Sequence, residues 1–230
     1  MSSLRLTGMI LWSILCITTS IIVRICTFST HLGVAMARTV WAPVILWLAG
    51  IKLTVKGLEH IPAGKQSYIV VANHQSVIDI PILFYVLPFN VYFVAKKEIA
   101  KVPFIGWYMY MMGMIFIDRG SREKAMLSMI NAGRLIREGK SVMTFPEGTR
   151  SLDEKIGVFK PGTFVMAEKA GVDILPVKIA GAGKIWPSGS FTIKGGPVTV
   201  SIGVPISTAE LNDKTRAAFI EEVKGKVEAL

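Results

Sequence analysis

Cysteine is almost missing from this sequence. Cys16 and Cys26 are the only two, and both lie in the apolar N-terminal region. They show no CxxC spacing and give no ground for a disulfide framework. They read as small apolar packing residues, and the cysteine-free remainder fits a reducing compartment. Histidine is equally sparse. His31, His60 and His74 are so dispersed that no zinc site is expected. His31 and His60 have no carboxylate at a useful spacing and receive no role. A Gly-x-Ser-x-Gly elbow, the mark of α/β hydrolases, is absent. So are arginine-rich tracts, RNA-binding signatures and zinc-finger spacings, which removes nucleic acid as an expected partner. Residues 53–230 contain no repeat, low-complexity tract or linker.

Acidic residues are also under-represented: 16 Asp and Glu face 26 Lys and Arg, a net charge of +10. This balance points to an anionic partner. Hydrophobic residues make up 51% of the chain and the mean hydropathy is +0.50, high for a soluble protein. Together these favour a membrane surface over nucleic acid. With 230 residues, one sizeable core plus an appendage is expected.

The appendage is the N-terminus. Residues 7–23 form an apolar run that would span about 26 Å as a helix at ~1.5 Å per residue, the short edge of what crosses a bilayer. A second run, Val40 to Ile51, contains Trp41, Pro43 and Trp47 and is too short to span. With Arg5, Arg24, Arg38, Lys52 and Lys56 flanking them, the two runs read as a helical hairpin lodged in one leaflet. A single true span is the main rival. A signal peptide cleaved after Ala35-Met36-Ala37 is disfavoured, because apolar character resumes beyond that site. The expected organisation is a membrane-associating hairpin over 1–52 and an α/β domain over 53–230.

Within that domain, strands alternate with helices. Residues 53–57, 68–72, 91–95, 115–117, 141–145 and 175–180 read as strands, most of them buried runs. Residues 78–87, 103–112, 121–138 and 164–170 read as helices, with Gly139 and Gly171 as stops. Phe191–Lys194 and Val198–Ile202 read as a hairpin across Gly195-Gly196-Pro197. Ser207-Thr208-Ala209-Glu210 reads as a capping box opening a last helix. Gly181-Ala182-Gly183-Lys184 lacks the spacing and hydroxyl of a phosphate loop and reads as a turn. The fold class is α/β, a mixed central sheet flanked by helices with an N-terminal two-helix anchor.

One stretch carries chemistry. In Asn73-His74-Gln75-Ser76-Val77-Ile78-Asp79, a histidine and an aspartate lie five positions apart at a strand-to-helix turn. They meet only if His74 sits in the turn and Asp79 in the first helical turn. An aspartate bonded to one imidazole nitrogen leaves the other free as a base. The plainer reading is a helix cap with an acid at the positive helix end. Ser76 offers a serine acyl-enzyme or, more simply, a capping hydroxyl. Lys96, Arg119 and Arg150 all fall at strand ends; if those ends share one edge of the sheet, three cations converge there.

His74-x4-Asp79 is followed by Phe145-Pro146-Glu147-Gly148-Thr149-Arg150. Between them come Ala95-Lys96-Lys97-Glu98-Ile99, Pro103-Phe104-Ile105-Gly106, Gly113 and Phe116-Ile117-Asp118-Arg119; after them comes Ile174-Leu175-Pro176-Val177. These four blocks, in this order, resemble the glycerolipid acyltransferase family, and most closely its 1-acylglycerol-3-phosphate acyltransferases. They cover about half of the chain.

The resemblance implies an enzyme that moves a fatty acyl chain from a thioester donor to the sn-2 hydroxyl of lysophosphatidic acid. His74 would be the general base and Asp79 its orienter. Glu147, Gly148, Thr149 and Arg150 would bind the acceptor, with Lys96 and Arg119 as helpers at its phosphate. No metal or cofactor is implied; the donor is acyl-CoA or acyl-carrier protein. Membrane lipids are the expected surroundings, at the cytoplasmic face of a bacterial inner membrane and monotopic rather than spanning. Acylation of glycerol-3-phosphate or another lysophospholipid is the rival within the class. A non-catalytic lipid-binding or scaffolding protein is the rival outside it.

Overall fold

The computed structural model describes residues 2–64, 67–118 and 120–230. Among these, seven strands form one mixed sheet: β1 (Ile51–Lys56), β2 (Ile69–Ala72), β3 (Val91–Lys96), β4 (Ile115–Ile117), β5 (Ser141–Thr144), β6 (Ile174–Ala180) and β7 (Gly196–Ile202). Their spatial order is β1-β7-β6-β2-β5-β3-β4. Strands β6, β2, β5, β3 and β4 run parallel, β7 is antiparallel to β6, and β1 is parallel to β7. The central strands β2 and β5 are buried at every position, which is why they read as unbroken apolar runs. The edge strand β1 alternates half-buried with exposed residues.

Helices cover both faces. From β2 and β3 the chain crosses outward through α4 (Asp79–Val86) and α5 (Ile105–Met111). From β4 and β5 it returns through α6 (Arg122–Arg137) and α7 (Gly162–Ala170). Right-handed crossovers in opposite directions put the two pairs on opposite faces. Accordingly α6 packs on α7, while α4 and α5 pack on the N-terminal helices. After a single turn, α8 (Ala182–Ile185), and strand β7, the chain ends in α9 (Arg216–Ala229). This last helix lies against β6 and sets Phe219 edge-on to Phe164 of α7, with ring centroids 6.2 Å apart.

The N-terminal helices are longer than their apolar runs. α1 spans Ser2–Thr27. The second helical stretch runs from Thr30 to Ala49, as α2 (Thr30–Met36), a π-helical turn (Ala37–Trp41) and α3 (Ala42–Ala49). Ser13, Thr18, Thr19 and Thr27 each return their hydroxyl to the carbonyl four residues back. Polar side chains that satisfy themselves this way continue a helix that a hydropathy count would end. The expected shortness of the second run is therefore corrected: at 20 residues it is, like α1, long and apolar enough to cross a membrane. The indole of Trp41 donates to Ser13 Oγ at 2.9 Å and ties the two stretches together.

Two local expectations fail. Residues 191–194 form no strand. β7 pairs with β6 and β1 instead of with its own neighbour, so long-range pairing overrides the local Gly-Gly-Pro turn signal. The capping box does not open α9. The Thr208 hydroxyl donates to the Val172 carbonyl, and helix begins only at Arg216, after Asn212 has accepted from the peptide N–H groups of Lys214 and Thr215.

Candidate active site

The carboxyl ends of the parallel neighbours β2, β5, β3 and β4 share one edge of the sheet. From β2 the chain departs toward β3, and from adjacent β5 it departs toward β6. Divergence between neighbours opens a crevice beyond the strand ends, where open α/β sheets place their ligands.

His74 occupies the turn after β2, and Asp79 is the first residue of α4. This meets the one condition under which residues five apart can touch. His74 Nδ1 lies 2.8 Å from Asp79 Oδ2. The same oxygen accepts the peptide N–H groups of Gln75 at 2.7 Å and Ser76 at 2.8 Å. Asp79 thus caps the turn and orients the imidazole at once, while fully buried. An ionised carboxylate only accepts, so Nδ1 carries the ring proton and Nε2 is left as the acceptor nitrogen. The Phe145 ring stacks on the imidazole, with centroids 4.0 Å apart and planes 10° from parallel. Hydrogen bond and stack together fix the ring's direction and its plane.

The turn after β5 is bonded to the turn after β2. Glu147, buried, accepts the His74 peptide N–H through Oε1 at 2.8 Å and the Gly157 N–H through Oε2 at 2.9 Å. The His74 carbonyl in turn accepts the Ser151 N–H at 2.8 Å. The His-x4-Asp and Glu-Gly-Thr-Arg blocks, about 70 residues apart in sequence, are therefore one hydrogen-bonded unit. Gly148 sits at φ +71°, a conformation that favours glycine, and a Cβ there would lie 2.9 Å from the flexible end of Lys160, at Nζ. Ser76 is fully buried and gives its hydroxyl to the Trp186 carbonyl at 2.6 Å, which leaves no room for a role as nucleophile.

The cations are placed as follows. Lys96, at the exposed end of β3, lines the same cavity as His74 and Gly148. Arg150 is half-buried and Thr149 exposed, and the residue after Arg150 is the one bonded to the His74 carbonyl. Lys97 is taken up by Asp118 at 3.1 Å. The Gly120 N–H and the Lys97 ammonium hold that carboxyl below the usual range. Arg119 lies outside the described residues. Lys160 was not anticipated: a lone lysine ahead of α7 carries no signal until the fold brings it beside Gly148.

Beyond His74 opens a cavity of about 610 Å³, the size of a small-molecule site. Its walls are apolar: Met9, Cys16 and Ile17 of α1, Trp41 and Ile45, Ile78 and Phe84, and Tyr108 and Met109 of α5. The N-terminal helices thus build part of the site, a contribution that their composition alone did not disclose. Among the described residues no cluster of three metal-ligating side chains occurs.

The sequence matches the family model described as Acyltransferase over residues 52–180. A 1-acyl-sn-glycerol-3-phosphate acyltransferase of Chlamydomonas reinhardtii is 39% identical over 66% of this chain and 46% of its own length. One of Pseudomonas aeruginosa is 31% identical over 81% of this chain and 76% of its own. The chain spans about half the length of the algal and plant relatives it matches. The crystal structure of the 1-acyl-sn-glycerophosphate (LPA) acyltransferase from Thermotoga maritima superposes with a TM-score of 0.76 at 29% identity, covering 100% of this chain and 97% of that one. The match spans the sheet edge, the paired His74 and Asp79 and the turn that clasps them, and on these grounds the chain belongs to the acyltransferase family.

Proposed function

We propose that the protein transfers a fatty acyl chain from a thioester to the sn-2 hydroxyl of lysophosphatidic acid, giving phosphatidic acid. One observation carries the reading: an imidazole with Nδ1 held by a buried carboxylate lies on the wall of an apolar cavity of about 610 Å³. The names of the relatives supply the acceptor.

In this scheme Nε2 of His74 takes the proton from the acceptor hydroxyl as its oxygen attacks the thioester carbonyl. Asp79 stabilises the imidazolium that forms. The C–S bond then breaks, and the departing thiolate takes the proton from His74. The new ester and the free thiol balance the reaction without a covalent enzyme intermediate. The acyl chain lies in the cavity. Arg150 grips the acceptor phosphate with its forked guanidinium, and Lys96, Lys160 and the Gly148–Thr149 backbone complete the anion site. Both oxygens of Glu147 are spent on peptide N–H groups, so we assign it to positioning the His74 turn rather than to direct contact with the acceptor. The N-terminal helices hold the site against the cytoplasmic leaflet.

Acyl transfer in detergent micelles tests the proposal, with lysophosphatidic acid, glycerol-3-phosphate and other lysophospholipids offered side by side and His74→Ala as control. Phosphatidic acid as main product, lost in the variant, is expected. Preference for another acceptor would move the protein within its family. Absence of turnover on any acceptor would leave a lipid-binding scaffold.

A further inference from the structure

The segment before α5 spends conformational energy on exposed apolar side chains. Phe104 adopts φ +62° and ψ −63°, and the Ile105 N–H bonds the Pro103 carbonyl at 2.7 Å. This is a γ-turn of the rare, strained hand, in a region that bulky residues avoid. Its tip is Phe104, 43% exposed, and it leads straight into Ile105, Trp107 and Tyr110, which are 51%, 53% and 74% exposed. The Phe104 and Trp107 rings lie 5.3 Å apart. The turn is braced from beneath: a Cβ on Gly106 would fall 2.4 Å from the Ala100 carbonyl oxygen.

Such a run of large apolar side chains on one short element marks an interaction surface. Two features say what covers it. First, α5 packs on α1, whose Ile10, Leu11, Ile14 and Leu15 are themselves exposed, so two helices in contact both present large apolar side chains outward. The same two helices line the cavity, through Ile17 and Cys16 on one and Ile105, Tyr108 and Met109 on the other. Second, the flanking segment is basic: Lys96, Lys97 and Lys101 are exposed, against Glu98 in the segment and Asp118, which pairs with Lys97. Aromatics with a basic fringe suit the headgroup level of an anionic leaflet.

We propose that the γ-turn and α5 are a second membrane-docking element. They insert Phe104, Trp107 and Tyr110 into the headgroup–acyl boundary of an anionic phospholipid leaflet and turn the mouth of the cavity toward the lipid. The location rests on surface chemistry; its purpose, admitting a lipid acceptor from the bilayer, rests on the acyltransferase reading.

The test places a cysteine at Trp107 or Tyr110, neither of which lines the cavity, with Cys26→Ser in the 230-residue chain. Each is labelled with an environment-sensitive fluorophore and reconstituted into phosphatidylcholine vesicles with or without phosphatidylglycerol. Labels at Leu11 and at Glu221, on α9, serve as membrane and solvent references. Brominated lipids should quench the label at 107 and at 110 about twofold, as at Leu11, and more strongly with phosphatidylglycerol, while Glu221 is untouched. A label at 107 and 110 that stays in water, while Leu11 is quenched, would overturn the proposal. So would shielding that needs no lipid and grows with protein concentration, which would mark a second copy as the occupant. Separately, Trp107→Ser with Tyr110→Ser should slow transfer to vesicle-embedded lysophosphatidic acid about fivefold and leave transfer in detergent micelles unchanged. Wild type inactive in both assays would sink the acyltransferase reading without touching the depth result; equal slowing in both would contradict docking.

Discussion

The two turns at the sheet edge and the walls of the cavity behind them solve opposite problems. At the edge, direction matters. Asp79 Oδ2 accepts three N–H groups, and Glu147 uses both oxygens on two peptide N–H groups from segments 83 residues apart. Buried carboxylates need such bonds to offset the loss of water; Glu147 engages both oxygens and Asp79 gathers all three donors on Oδ2. In the cavity, volume matters. Its walls are mostly apolar side chains from the N-terminal helices, the crossover helices α4 and α5, and strand β3. The edge is held by directed hydrogen bonds, and the cavity by apolar packing.

That contrast predicts a gradient of effects. The largest belongs to the pair: His74→Ala lowers kcat by about 10³-fold or more, and Asp79→Asn by about 10²-fold, with the fold intact by circular dichroism. An Asp79→Asn enzyme within twofold of wild type would reduce the aspartate to a cap. Next is Glu147→Gln. Its amide can accept only one of the two N–H groups and turns a donor toward the other. A lost buried bond of ~1–3 kcal/mol should displace the His74 turn and lower kcat about tenfold, leaving KM for the acceptor unchanged. A rise in KM instead would return Glu147 to acceptor binding. Arg150→Ala should do the reverse, raising acceptor KM about tenfold with little change in kcat. On the cavity side, Ile45→Trp adds bulk to a buried wall position. It should shift preference toward shorter acyl chains a few-fold and spare kcat on them. The smallest effect is Trp41→Phe, which removes one hydrogen bond between the N-terminal stretches and should cost about 1 kcal/mol in thermal unfolding.

The same contrast explains what sequence could disclose. Unbroken runs such as Ile69–Ala72 and amphipathic spacing such as Arg122–Arg137 are local, and those elements stand where their patterns placed them. The meeting of His74 with Asp79 was legible because a turn and a first helical turn are local geometry. What failed was non-local. β7 abandons its hairpin partner for β6 and β1, and Thr208 spends its hydroxyl on Val172 rather than on a cap. The clasp of Glu147 on the His74 peptide, Lys160 beside Gly148, and the inward wall of α1 depend on which surfaces the fold brings together. No window along the chain contains both partners.

The most direct measurement reads the imidazole itself. With only three histidines, nitrogen NMR of labelled protein in detergent can assign His74 by comparison with His74→Ala. The account predicts a neutral ring protonated at Nδ1, with bare Nε2, and loss of that preference in Asp79→Ala. A His74 protonated at Nε2 with Nδ1 bare would mean that Asp79 does not orient it, and the proposed base would be facing the wrong way.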